Sequence, residues 1–218
     1  MKKPINQSQL FSKDSKVLLN KTGCSKIYSV ASELSESGSC ILKVTTTGDK
    51  EGFLHSECSL LSKHVVKFFH SYKKNRKTYI LMESCDQTLA ASIKERQRKE
   101  RYWGTQKLID YMKSLLSALK TLHSHNIAHR DIKPDNIFIS QDSTLKLGDF
   151  GSSERLSRPC YEVHGTFTYI APELRNNANG AGIDYFKSDV WSLGKSFFEM
   201  CTLQLQKDID EHLSLIHI

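Results

Sequence analysis

The feature that most constrains this chain is a polar octapeptide, His129-Arg130-Asp131-Ile132-Lys133-Pro134-Asp135-Asn136. Three further motifs follow it in order. Gly148-Asp149-Phe150-Gly151 places Asp149 thirteen residues after Asn136. Gly165-Thr166-Phe167-Thr168-Tyr169-Ile170-Ala171-Pro172-Glu173 and Asp189-Val190-Trp191-Ser192-Leu193-Gly194 come next. The octapeptide alone is open to chance. Four motifs in one order at plausible distances leave chance little room.

The motifs sit behind a strand-rich stretch. Val17-Leu18-Leu19, Lys26 to Val30 and Cys40 to Val44 read as strands, as do Val65 to Phe69 and Thr78 to Met82, the last two joined by the basic turn Lys73 to Lys77. Glu51 to Lys63 reads as a helix among them. After residue 86 the pattern turns helical. Leu108, Met112, Leu115, Leu119 and Leu122 recur at helical spacing, with Ile109 and Leu116 broadening the stripe, and a second buried helix is expected over Ser188 to Thr202. A strand-rich small lobe followed by a helix-rich large lobe, with a cleft between, is an α+β arrangement.

Together the four motifs resemble those of the eukaryotic-type serine/threonine protein kinase family. The resemblance implies a bilobal kinase-like fold: a small antiparallel sheet with one helix, then a mainly helical lobe that is incomplete at its C-terminus. It implies a kinase domain over 16–212 (N-lobe 16–84, C-lobe 85–212), after an N-terminal tail at 1–15. It also implies transfer of the ATP γ-phosphate, with Mg2+, to Ser or Thr hydroxyls of protein substrates. Asp131 would accept the hydroxyl proton, Lys133 would stabilise the transferred group, and Asn136 and Asp149 would hold metal. Lys43 would contact the phosphates, paired with Glu57 on the helix; Glu51 is the alternative partner. Gly23 and Ile27 would line the nucleotide from the phosphate loop. Met82 would be the gatekeeper, and the backbones of Glu83 and Cys85 would meet the adenine edge. Leu61, Phe68, His129 and Phe150 would form an apolar column. The Lys133 and Thr166 pair marks the serine/threonine branch.

Some positions depart from the family pattern. Its three loop glycines are replaced by Asn20, Thr22 and Ser25, where backbone N–H groups must approach phosphate without a Cβ in the way. Ile41 stands where the family usually has alanine and would crowd the adenine. A pseudokinase or nucleotide-binding scaffold is therefore the competing reading. Ser152, Ser153, Ser157 and Tyr161 are candidate modification sites. Glu162 either pairs with Arg130 in place of a phosphate or is a solvated loop acid. Leu213 to Ile218 match the translation of a sequencing adapter, so a truncated C-terminus is expected, leaving Glu173 unpaired and the last helix uncovered.

Composition narrows the setting. The net charge of +7 fits an acidic partner. Its densest basic run, Lys94 to Arg101, mixes signs, so a solvated helix face is expected rather than a binding patch, and no specific nucleic-acid binding. Six scattered cysteines without a regular spacing suggest reduced thiols and an intracellular, cytoplasmic or nuclear setting. No apolar run is long enough to span a bilayer.

Overall fold

The structure, a computed structural model, describes residues 10–157, 162–175 and 182–205. The chain divides into two compact units. One comprises residues 1–60 with 66–84; the other comprises 61–65 with 85–218.

The first unit is an antiparallel sheet with one helix. Strands β1 (Val17–Lys21), β2 (Ser25–Ala31), β3 (Ser39–Thr45), β4 (Phe68–Lys74) and β5 (Lys77–Glu83) are ordered β1-β2-β3-β5-β4, and helix α1 spans Lys50–Leu61. Alternation along β3 decides what each face does. Cys40, Leu42 and Val44 point to one side and join Val30 and Leu81 in a buried cluster. Ile41 and Lys43 point to the other. Asn75 and Arg76 turn the β4–β5 hairpin with φ of 50° and 58°, a type I′ geometry that matches strand twist.

The expected tail at 1–15 needs correcting from residue 10 onward. Leu10 and Phe11 are 2% and 8% exposed and complete the cluster on the outer face of β3. Ser12 N–H donates to the Ala31 carbonyl at 3.0 Å, and the Ser32 hydroxyl donates to Leu10 O at 2.5 Å. Without these two side chains that face of the sheet would expose apolar surface. The strand expected from Val65 instead begins at Phe68. Val65 bridges to Leu147 in the second unit, and Leu147 N–H donates to the His64 carbonyl at 2.8 Å.

The second unit is mainly helical. Short strand β6 (Gln87–Thr88) leads into α2 (Leu89–Arg98), which is capped by the Thr88 hydroxyl accepting from Ala91 N–H. Helix α3 (Thr105–Ser124), strands β7 (Ile127–Ala128), β8 (Ile137–Ile139), β9 (Leu145–Leu147) and β10 (Glu154–Arg155), and helices α4 (Pro172–Arg175) and α5 (Tyr185–Thr202) follow. The buried stripe of α3 is Tyr111, Leu115, Ala118, Leu119 and Leu122. Ile109 and Leu116, expected to broaden it, are 39% and 47% exposed. The basic stretch from Lys94 spends its charge locally: Lys99 pairs with Glu95 at 2.6 Å, and Arg96 stacks over Trp103 at 4.4 Å. On α5, Val190, Trp191 and Phe198 are exposed. Among the described residues no helix is long and apolar enough to cross a membrane. Tyr161 and the segment from Leu213 lie outside the described residues.

Candidate active site

The octapeptide forms the loop between β7 and β8, and α5 sets its shape. Asp189, 1% exposed, accepts the backbone N–H groups of His129 and Arg130, each at 2.8 Å, and the His123 ring N–H at 3.0 Å. Arg130 sits at a φ of 66°, which a bulky side chain rarely adopts. The paired hydrogen bonds to one carboxylate hold that conformation. His129 Nε2 meets the Gly148 carbonyl at 3.0 Å, and its ring lies edge-on to Phe150 at 5.2 Å. These contacts tie the octapeptide to Gly148-Asp149-Phe150-Gly151. Asp149 takes a left-handed conformation and accepts the Gly151 N–H at 3.2 Å. Gly165, at a φ of 110°, has no room for a side chain: a Cβ would fall 2.5 Å from the Arg130 carbonyl.

Two of the motifs, the octapeptide itself and the segment that begins at Gly165, meet at the carboxylate of Asp131. Its Oδ1 accepts from the backbone N–H and the hydroxyl of Thr166, at 3.0 and 2.7 Å. Its Oδ2 accepts from Lys133 Nζ and Asn136 Nδ2, each at 2.9 Å. Lys133 Nζ also donates to Thr166 Oγ1 at 2.6 Å, and Asn136 Nδ2 to the Asp131 carbonyl at 2.8 Å. Four donors fill the four lone-pair directions of an ionised carboxylate.

In the first unit Lys43, 8% exposed, pairs with Glu51, 5% exposed, at 2.5 Å. The pair is the one expected as the alternative to Lys43 with Glu57. Six helical residues turn about 600°, so Glu57 lies roughly a third of a turn around α1 from Glu51. The buried face carries Glu51, Leu54, His55 and Cys58.

The segment expected to be the phosphate loop is a tight hydrogen-bonded turn. Thr22 N–H donates to the Ser25 carbonyl at 2.8 Å, Ser25 N–H to Thr22 Oγ1 at 3.1 Å, and the two hydroxyls meet at 2.9 Å. A Cβ on Gly23 would meet nothing within 4 Å. Ile27 stands opposite Lys43, and Ile41 lies half-buried between Ser29 and Met82. At the end of β5, Glu83 N–H donates to the Lys67 carbonyl at 2.9 Å. Cys85 is half-buried, in the second unit. Of the expected column, His129 and Phe150 touch; Phe68 lies edge-on to His55 at 5.6 Å within its own unit.

Two residues near Asp131 acquire roles that sequence reasoning missed. Asp189 was legible as part of a motif, but its bonds reach back 59 and 60 residues. Glu154 faces the Arg130 guanidinium at 3.4 Å, while Glu162 faces His164 at 3.3 Å with its side chain 85% exposed.

A family model described as the protein kinase domain matches residues 24–214. The chain belongs to the protein kinase family. The mouse serine/threonine-protein kinase Nek5 is 36% identical over 190 residues, covering 82% of this chain and 29% of that protein. Mouse serine/threonine-protein kinase PLK2 is 36% identical over 160 residues, covering 70% and 21%. A probable serine/threonine-protein kinase PLK of Dictyostelium discoideum is 36% identical over 143 residues, covering 65% and 14%. The chain thus spans under a third of the length of these relatives. The antiparallel-sheet unit with one helix and the mainly helical unit are the two parts of the α+β kinase fold.

Proposed function

We propose that this kinase domain transfers the γ-phosphoryl group of ATP to Ser or Thr hydroxyls of protein substrates. The observation that carries the reading is the Asp131 carboxylate, held by Lys133, Asn136 and Thr166 at 2.7–3.0 Å. Asp131 would receive the proton of the incoming hydroxyl. Its acceptor sites are all taken, so the hydroxyl must replace a donor. Lys133 is suited to yield: its flexible stem lets the ammonium leave Oδ2 and turn to the phosphoryl oxygens. Thr166 and Asn136, donating to opposite oxygens, would keep the carboxylate in place meanwhile. Positioning of this kind supplies most of the rate in phosphoryl transfer.

Asn136 and Asp149 are the residues that would hold Mg2+, whose chemistry when bound is to neutralise and orient the phosphates. The donor set fits. Asn136 commits its N–H bonds to Asp131, which leaves its amide oxygen for a hard cation. The Lys43–Glu51 pair would fix the lysine for the nucleotide, with Gly23, Ile27, Glu83 and Cys85 lining it. Six scattered cysteines without a regular spacing support a reducing, intracellular setting.

The test is phosphate transfer from labelled ATP to Ser/Thr protein substrates, with Mg2+ supplied and then chelated. Asp131→Asn should lower the rate by about 10²-fold or more, and chelation should abolish it. A competing reading, a nucleotide-binding scaffold, is favoured by the Thr22–Ser25 turn, which spends two loop N–H groups internally. Retained ATP binding with transfer no faster than in Asp131→Asn would select it.

A further inference from the structure

The outer face of the first unit's sheet carries a lysine cluster that phosphoryl transfer does not use. Lys21 and Lys26 are Cα partners across β1 and β2, and Lys26 in turn faces Val44 on β3. Val44 belongs to the outer-face cluster, whereas its neighbour Lys43 turns to Glu51 on the other side. These lysines therefore point away from the face that holds the Lys43–Glu51 pair. Lys77 joins Lys21 and Lys26 around a recess of about 100 Å³ whose lining includes Val44 and Thr46 and also the outer side of the loop Thr22 to Ser25. Lys74 pairs in register with Lys77, and Lys16 lies 3.8 Å over the Tyr28 ring.

The cluster is uncompensated. Among the described residues none of Lys16, Lys21, Lys26, Lys74 or Lys77 has a carboxylate within ion-pair distance, whereas Lys73, on the opposite face, meets Asp49 at 2.9 Å. Burial, together with Lys26 and Lys77, pushes the Lys16 ammonium below its ordinary pKa. Like charges gathered without partners cost stability and attract an anion that relieves them.

We propose that the recess bounded by Lys21, Lys26 and Lys77 binds a phosphoserine or phosphothreonine carried on a peptide. Such a group brings a charge near −2 and three terminal oxygens, matching three lysines set round one small recess. A nucleic-acid strand fits less well, because base binding needs open aromatic faces. The ring faces here are already engaged: Tyr72 and Tyr79 stack on each other at 4.8 Å and 4°, and Tyr28 is covered by Lys16. The recess shares the Thr22–Ser25 loop with the proposed nucleotide site, but its three lysines have no part in that reading.

The test is fluorescence anisotropy on the whole 218-residue chain with one peptide in three forms: phosphoserine, serine and glutamate. A single-stranded RNA of equal charge is the fourth probe. The phosphoserine form should bind at least about tenfold more tightly than either other peptide form and than the RNA. Lys26→Gln and Lys77→Gln should each weaken it by about tenfold, the range of one charge-assisted hydrogen bond. Lys94→Gln with Arg98→Gln, on the basic stretch of α2, should leave it unchanged, and circular dichroism should report folded chains throughout. Equal binding of the serine form, preference for RNA, or indifference to Lys26→Gln and Lys77→Gln in folded protein would each overturn the proposal. Where a variant failed to fold, loss of phosphopeptide binding to wild type on competition with inorganic phosphate, but not with equimolar chloride, would support it, and equal competition by both would refute it.

Discussion

Replacing Asp189 should damage the fold and the Asp131 site together, and its cost can be worked from its two backbone hydrogen bonds. The carboxylate is 1% exposed and accepts from His129 N–H, Arg130 N–H and the His123 ring. Asp189→Ala leaves two backbone donors buried and unpaired, each worth about 1–3 kcal/mol, so the expected loss is about 2–6 kcal/mol. Asp189→Asn keeps one acceptor oxygen and turns an N–H2 group toward the other donor, so about half that loss is expected. Arg130 also loses what holds it at a φ of 66°. The next residue is Asp131, so the rate should fall even at temperatures where the variant stays folded. The assay is equilibrium urea unfolding followed by circular dichroism, paired with phosphate transfer. If both variants unfold within about 0.5 kcal/mol of wild type, the range of ordinary surface changes, the reasoning fails.

Glu51→Gln should raise the KM for ATP about tenfold or more, since a buried lysine without its carboxylate is costly to keep in place; Glu57→Gln should change it less than about twofold, and steady-state kinetics on the two variants separate them. Gly165→Ala should destabilise the chain by more than about 1–3 kcal/mol, because its Cβ would meet the Arg130 carbonyl at 2.5 Å and Ile170 at 2.9 Å; a thermal shift indistinguishable from wild type would contradict this. Thr166→Val removes a donor to Asp131 and an acceptor for Lys133, so kcat should fall while the KM for ATP holds, as single-turnover kinetics would reveal. His64 adds a pH dependence. Its Nδ1 is buried without a hydrogen-bond partner among the described residues, and burial, then Lys63, hold its pKa below the ordinary value; the Leu145 backbone offsets this only in part. The folded chain therefore binds the proton less readily than the unfolded chain. This share of stability is present above about pH 6.5 and is lost as pH falls toward the lower folded value. His64→Gln should flatten the melting temperature over that interval.

What the sequence made legible was the part written in local spacing. The loop from His129 to Asn136 and the turn at Asp149 close through bonds between near neighbours in sequence, such as Asn136 to Asp131 and Gly151 to Asp149. Their roles could be approached from the motifs alone. What stayed hidden depended on long reach or on weak amphipathicity. Asp189 acts through backbone groups about sixty residues away. Leu10 and Phe11 sit in a polar N-terminal stretch, and only the sheet's apolar outer face gives them a place to be buried.

Helix α1 is the instructive failure. Its register would normally be read from its largest apolar residues, yet Phe53 and Leu60 are 69% and 87% exposed. Burial instead follows Glu51, Leu54, His55 and Cys58, a face that includes two polar groups. His55 earns its place by a 2.7 Å contact from Nε2 to the Val66 carbonyl, and Glu51 by Lys43. A helix that spends its buried face on polar partners carries little periodic signal, because each polar group is placed by one specific partner and not by hydrophobicity. The Lys43 partner had to be found by distance. The same logic separates the two variants above: if Glu57→Gln proved as damaging to ATP use as Glu51→Gln, the ion pair at 2.5 Å would not be what positions Lys43 during transfer.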